Sequence, residues 1–266
     1  MEQVGQMSSA ERQRVAIATV LVDRVDRIAA SRAIGSFFAD GRSHQIVTVN
    51  LDFLRATRGD GDFREIINAA DLAVADGMPL VWLSRLLGAP IPERVTGFDL
   101  VDAACDVASR EGVGVFLLGA APGVADAAAA ALRRRHPGIR IAGTYSPPMG
   151  AHDAAEDERM VSAVVSAGRC VLFVAFGAPK QDRFIHAYLD RLNVPVAIGV
   201  GCAFDILAGT VRRAPTWMQR VGLEWAWRLA MEPRRLWRRY LVQDAPLLGR
   251  LAASAVREGL RQGARG

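Results

Sequence analysis

Short apolar runs that stop at a turn-permitting residue recur along this chain, with helix-like stretches between them. This alternation limits the fold more than any other feature. Residues 46–49 form one β-prone run, with Asn50 just beyond it; residues 113–118 end at Gly119. Residues 139–145 form the next, 171–176 end at Gly177, and 196–200 end at Gly201. After Gly119, Pro122-Gly123 leads into an alanine-rich helical pattern ending near Arg135. Strands joined through helices require right-handed crossovers and give a mainly parallel sheet buried on both faces. The expected fold class is therefore α/β: a Rossmann-like, mainly parallel sheet with flanking helices. Such sheets bind ligands beyond the carboxyl ends of their strands. The loops opening at Gly119, Tyr145, Gly177 and Gly201 thus become the candidate ligand loops.

With 266 residues, 51% of them hydrophobic, the chain can bury one large core or two small ones. Cys105, Cys170 and Cys202 are odd in number and widely spaced, and read as reduced core cysteines, not as a disulfide or zinc framework. No apolar run reaches bilayer-spanning length. Residues 15–22 imitate the core of a signal peptide, but Asp23 and Arg24 follow at once and no small-residue cleavage site appears. A first β-strand and a cytoplasmic protein are expected. The net charge of +5 is local: residues 212–239 hold eight arginines and two glutamates, +6, leaving −1 for the remaining chain. A segment of this kind faces a local anionic partner. From Trp217 onward the strand signals stop, and an aromatic, arginine-rich helical tail is expected.

Two segments carry most of the chemistry. In Phe176-Gly177-Ala178-Pro179-Lys180-Gln181-Asp182, a strand ends, glycine permits close backbone approach, and proline suits a first helical turn. A helix start offers free N–H groups and a positive dipole end to a phosphate. Lys180 is the one lysine beside 32 arginines, which fits either composition bias or a site needing a compact ammonium. The second segment, Gly199-Val200-Gly201-Cys202-Ala203-Phe204-Asp205, uses small residues at 199, 201 and 203 to allow a crowded turn against a ligand or another backbone.

Together with Thr48-Val49-Asn50, Ala75-Asp76-Gly77, Glu93-Arg94-Val95-Thr96-Gly97, Phe116-Leu117-Leu118-Gly119, Arg213-Ala214-Pro215, Gly222-Leu223-Glu224-Trp225 and Glu232-Pro233-Arg234-Arg235, these segments resemble the WecG/TagA/CpsF family of glycosyltransferases. The resemblance runs from about residue 20 to about 241, with its stations in order. It implies inverting transfer of N-acetylmannosamine, its uronic acid or a related hexose from a UDP-sugar to a polyprenyl-diphosphate-linked saccharide in cell-surface polysaccharide synthesis. No cofactor or divalent metal is implied. Residues 1–216 would form the α/β core, an N-terminal acceptor and catalytic half and a donor half meeting near residue 110. Residues 217–266 would form a helical appendage that completes the site and meets the inner face of the plasma membrane.

Inversion needs one base to take the acceptor hydroxyl's proton, and the resemblance assigns this to Asp76, whose alternative role is shaping the turn with Gly77. It also places Thr48, Asn50 and Gln181 in the catalytic pocket. Arg94 is a candidate diphosphate clamp, by bidentate guanidinium geometry, with an ion pair to Glu93 as the alternative. Gly119, Gly177, Pro179, Lys180, Gly201 and Asp205 are assigned to substrate binding, with Arg228, Arg234 and Arg235 meeting diphosphate. Asp60-Gly61-Asp62 mimics a manganese signature but reads as a solvated turn. Two departures stand out: Asp182 for the usual glutamate shortens a carboxylate but keeps its charge, and Tyr145-Ser146-Pro147-Pro148 for a Gly-Tyr-Phe element resembles an exopolysaccharide-associated branch and leaves the sugar and acceptor open.

In the tail, i,i+4 spacing puts Arg234 with Arg238 and Arg235 with Arg239 on one face. Leu236 with Tyr240 and Trp237 with Leu241 form the other, the pattern of an interfacial helix or of a packed terminal helix. Deleting the chain after Trp217 is expected to leave a folded core with little activity. Exposed tail aromatics serve a contact between copies as readily as a membrane. A nucleic-acid module fits the pI of about 9.7, but no nucleic-acid motif accompanies it. A dinucleotide oxidoreductase lacks its Gly-x-Gly-x-x-Gly fingerprint.

Overall fold

Six strands form one parallel sheet, and its order fixes where a ligand can enter. The computed structural model describes residues 13–148 and 153–263. A hairpin comes first, β1 (Arg14–Ile17) and β2 (Val20–Asp23), antiparallel about the turn at Ala18 and Thr19. The run at 15–22 is thus two strands, not the single strand expected. The sheet strands are β3 (His44–Val49), β4 (Leu72–Ala75), β5 (Gly114–Gly119), β6 (Arg140–Tyr145), β7 (Cys170–Ala175) and β8 (Val196–Gly199), in the order β4-β3-β8-β7-β5-β6. Every pairing is parallel, so all carboxyl ends share one edge.

β4 is the strand that the sequence pattern does not reveal. Its four residues, Leu-Ala-Val-Ala, follow the alanine-containing end of the helix Gly61–Ala69 with only two residues between. Its exposed edge is covered by the hairpin. The Ala73 N–H donates to Asp23 Oδ2 (2.7 Å), while Arg14 pairs with Asp23 and donates to the carbonyls of Asn68 and Ala70. An edge strand so covered offers no free ladder to another chain.

Alternate side chains divide the core. Ile46, Val74, Leu117, Phe173 and Ile198 face one layer with the helices Arg27–Phe37, Gly97–Arg110 and Val124–Arg135. On the opposite face, Val47, Val49 and Ala75 pack under the hairpin and the helices Gly61–Ala69 and Met78–Leu86. Leu118, Leu172 and Val174 pack under the helices Ala154–Ser166 and Lys180–Leu192. The helix after β3, Leu51–Ala56, lies on the second face, whereas the helix after β8, Ala203–Leu207, lies on the first. Adjacent strands whose connections leave in opposite directions open a crevice at their carboxyl ends. Here it lies between β3 and β8.

The C-terminal helix Ala245–Gly263 is not detached from this core. Leu247 is buried in the layer over β3 and β4, with Leu248, Leu251 and Ala252 packed around it. Among the described residues, no helix is long and apolar enough to cross a membrane.

At the sheet's other edge, buried His44 stacks on Phe37 with ring centroids 4.1 Å apart. Its Nε2 meets Asp40 and its Nδ1 meets Asp71, each at 2.9 Å. Burial works against the imidazolium, but hydrogen bonds to Asp71 and Asp40 outweigh it and raise the His44 pKa above its ordinary value. A raised pKa stabilises the fold fully below pH about 6.5 and ceases to do so as pH climbs through the folded value. His44→Gln should therefore cost about 1.5–3 kcal/mol near pH 6 and less at pH 9. Urea midpoints of both proteins across that range measure the difference; a gap constant with pH would show that His44 is neutral in the fold.

Candidate functional site

Asp76 directly follows β4, its N–H donating to the Val49 carbonyl at 2.7 Å, so the β3–β4 pairing continues into it. The side chain keeps some surface open to the crevice but is otherwise ringed by protein. That burial pushes its carboxyl up to about 6, although Arg228 and Arg94 pull the other way; Glu224 adds to the rise and the Gly97 N–H opposes it. A carboxylate ionised near neutrality, yet far more basic than an ordinary aspartate, is suited to take a proton from an alcohol.

The positive groups around it come from the tail and from the loop after the helix Met78–Leu86. Arg228, on the helix Glu224–Met231, donates from Nη2 to Cys202 Sγ at 2.6 Å. Arg94 pairs with Glu224 of the same helix, not with Glu93, which pairs with Arg27. Gly222 makes the crossing possible: a Cβ there would lie 2.7 Å from Met78 Cγ. Arg213 joins Asp99 and Thr96, where a reciprocal capping box starts the helix Gly97–Arg110. The tail thus closes over the carboxyl ends of β3, β4 and β8. Glu224 and Cys202 escape sequence reasoning because their partners lie 130 and 26 residues away, with no pattern linking them.

The other expected residues hold the crevice in shape. Thr48, buried, donates from Oγ1 to the Gly199 carbonyl (3.0 Å) and spans β3 and β8. Asn50 caps the helix Leu51–Ala56, its Oδ1 accepting from the N–H groups of Asp52 and Phe53. Gln181 is buried and accepts from the Gly201 N–H at 3.1 Å. Gly199 is crowded by side chains: a Cβ would fall 2.6 Å from Gln181 Nε2 and 2.8 Å from Asp182 Oδ1. Both oxygens of buried Asp182 lack a hydrogen-bond partner among the described residues, and burial pushes this carboxyl up to about 7.

Gly119 serves the sheet: a Cβ there would meet the Ala175 carbonyl at 2.8 Å, so only glycine lets β5 and β7 end together. Gly177 and Gly201 turn with φ of 74° and 55°. Pro179 caps the helix Lys180–Leu192, one position earlier than its expected first-turn place, and Lys180 opens that helix as an exposed side chain. Asp205 accepts a hydrogen bond from Thr210 through its carbonyl.

Three expectations change. Cys105 and Cys170 are buried, with thiols pushed up to about 12 and about 11 by burial, but Cys202 is partly exposed against Arg228. The tail is not one α-helix with i,i+4 faces. The helix Pro233–Trp237 passes into a π-helical segment, Arg238–Asp244, whose wider turn breaks that spacing. Arg239 there pairs with Asp52, and Arg55 with Asp52 and Asp244, so part of the basic face is spent internally. Arg234 and Arg238 are exposed; the Arg235 side chain lies outside the described residues. Asp60 caps the helix Gly61–Ala69 and pairs with Arg183, so Asp60-Gly61-Asp62 is the start of a helix and not the solvated turn expected. Among the described residues, no three His, Cys, Asp or Glu side chains cluster to hold a metal ion.

Residues 15–261 match the model of the "Glycosyl transferase WecG/TagA/CpsF family". An N-acetylglucosaminyldiphosphoundecaprenol N-acetyl-beta-D-mannosaminyltransferase of Bacillus subtilis is 34% identical over 197 residues, 74% of each chain. Its Bacillus spizizenii counterpart is 36% identical over the same share. A Staphylococcus aureus protein of the same name is 31% identical over 227 residues, 85% of this chain and 87% of its own.

Proposed function

This chain belongs to the WecG/TagA/CpsF family and is a glycosyltransferase, and on that premise we propose that it moves an N-acetylmannosamine-like sugar, with inversion, from a UDP-sugar to a polyprenyl-diphosphate-linked N-acetylglucosamine. The observation that carries this reading is Asp76, a carboxyl raised to about 6 at the floor of a crevice and ringed by Arg228 and Arg94. In the proposed reaction, ionised Asp76 accepts the proton of the acceptor hydroxyl as that oxygen attacks the anomeric carbon. The bond to the diphosphate breaks on the opposite face, and the nucleoside diphosphate leaves with the bonding pair. Arg228 and the exposed Lys180 provide fixed positive charge for the departing group. Arg94 joins them once its pairing with Glu224 loosens. Gln181, Thr48 and Asn50 act as positioning residues, since each spends a side-chain oxygen on the loops that frame the crevice.

The proposed place of work is the cytoplasmic membrane surface. Trp217, Val221, Trp225, Trp237, Leu241 and Val242 are exposed on the tail. Trp82 lies exposed beside Gly222. Exposed aromatic and aliphatic side chains on the same segment as exposed Arg234 and Arg238 suit the interface, where an enzyme must stay to meet a lipid-linked acceptor. Purified protein incubated with a panel of UDP-sugars and a polyprenyl-diphosphate-linked N-acetylglucosamine should add one N-acetylhexosamine, read as a product mass. Failure to bind or turn over any UDP-sugar, with a lipid surface supplied, overturns the reading.

A further inference from the structure

A second cavity, of about 350 Å³, lies between the β1–β2 turn, the end of the helix Leu51–Ala56 and the C-terminal helix. Its wall carries three guanidinium groups, Arg58, Arg64 and Arg250, and no carboxylate. None of the three has an acidic partner among the described residues, in contrast to nearby Arg55 and Arg239, which are held by Asp52 and Asp244. Three like charges around one cavity repel each other until an anion enters. The buried part of the lining is Leu54, Leu247 and Thr57, whose hydroxyl is spent on the Leu54 carbonyl, with Leu251 beside them.

We propose that this cavity binds the phosphodiester headgroup of an anionic phospholipid, the three arginines meeting the phosphate and the leucine floor taking the glycerol and the first acyl carbons. A free phosphate would gain nothing from that floor. No aromatic side chain lines the cavity, so a nucleobase would find no stacking platform. The C-terminal helix that supplies Arg250 and Leu251 continues directly from the segment bearing exposed Leu241 and Val242. A lipid held here would therefore dock the catalytic half and the tail against one surface. The proposal rests on the membrane-surface part of the reading above and not on the transfer reaction.

The test uses the full chain and dihexanoyl phosphatidylglycerol below its micelle concentration, followed by calorimetry, so that no lipid surface contributes. Saturable binding is expected, weakened roughly 100-fold by Arg58→Gln/Arg64→Gln/Arg250→Gln, given about fivefold per arginine. The triple variant Arg32→Gln/Arg110→Gln/Arg133→Gln, with the same charge change on exposed helical sites away from the cavity, should bind as the native protein does. Dihexanoyl phosphatidylcholine and inorganic phosphate should bind at least tenfold more weakly. Sugar transfer in detergent by the cavity variant should be unchanged, which separates failure of this site from failure of the transferase reading. Native-like lipid binding by the cavity variant, equal loss in the control variant, or equally tight binding of inorganic phosphate overturns the proposal.

Discussion

Asp76→Asn is expected to lower turnover by about 10²–10⁴-fold while the protein melts no lower than the native enzyme at pH 7.5. The two halves of this expectation share one cause. Burial raises the Asp76 carboxyl from 3.8 to about 6 against the pull of Arg228 and Arg94. A folded-state pKa above the unfolded one means that ionisation opposes folding, beginning near pH 3.8 and complete a little above pH 6. That opposition amounts to roughly 3 kcal/mol, and asparagine removes it while also removing the base. Native turnover should rise with pH through about 6 and level off above it. The melting temperature of the variant should gain on the native value between pH 4 and 7. Initial rates across pH, paired with thermal melts, measure both. Near-native turnover by Asp76→Asn would remove Asp76 from the mechanism.

Removal of residues 218–266 should abolish transfer and also destabilise what remains. The packing argues against an intact core, because Leu247 is buried in the layer over β3 and β4 and Leu248, Leu251 and Ala252 pack against that layer. Losing one such leucine's burial costs about 1.5–3 kcal/mol, and the truncation removes several together. Arg228→Gln in the full chain isolates the chemical part. It should fold normally and lose roughly 10²–10³-fold in turnover, the usual effect of deleting one group that stabilises a developing anion. With its largest opposing charge gone, the Asp76 carboxyl should rise further, and the acid limb of the rate profile should move to higher pH. Melting curves and kcat/KM against pH separate the two variants. Full activity on a lipid-linked acceptor after truncation would detach the tail from catalysis.

Much of the architecture was legible because parallel strands buried on both faces must be continuously apolar. The runs before Asn50, Gly119, Gly177 and Gly201 therefore announced β3, β5, β7 and β8 within two residues at each end. β4 escaped because four small and apolar residues carry no period of their own. The hairpin at 14–23 read as one strand because the Ala18-Thr19 turn contains neither glycine nor asparagine, and Ala18 takes the left-handed conformation (φ 57°) instead. Around the site, residue types signalled chemistry only where they stood in ordered tripeptides. The division of labour between Asp76 in the crevice and Thr48, Asn50 and Gln181 in its frame depends on hydrogen bonds to residues far along the chain.

Local composition and periodicity were enough to dictate a parallel α/β sheet, the edge where its ligand loops gather, and a basic aromatic tail, since each is a property of neighbours in sequence. The basicity of Asp76 was decided elsewhere. It arises only when a helix some 150 residues downstream folds across β4 and brings Arg228 and Glu224 beside a carboxylate that the crevice has stripped of most of its water. Desolvation and Coulomb interaction depend on distance in space, and no spacing along the chain encodes that distance.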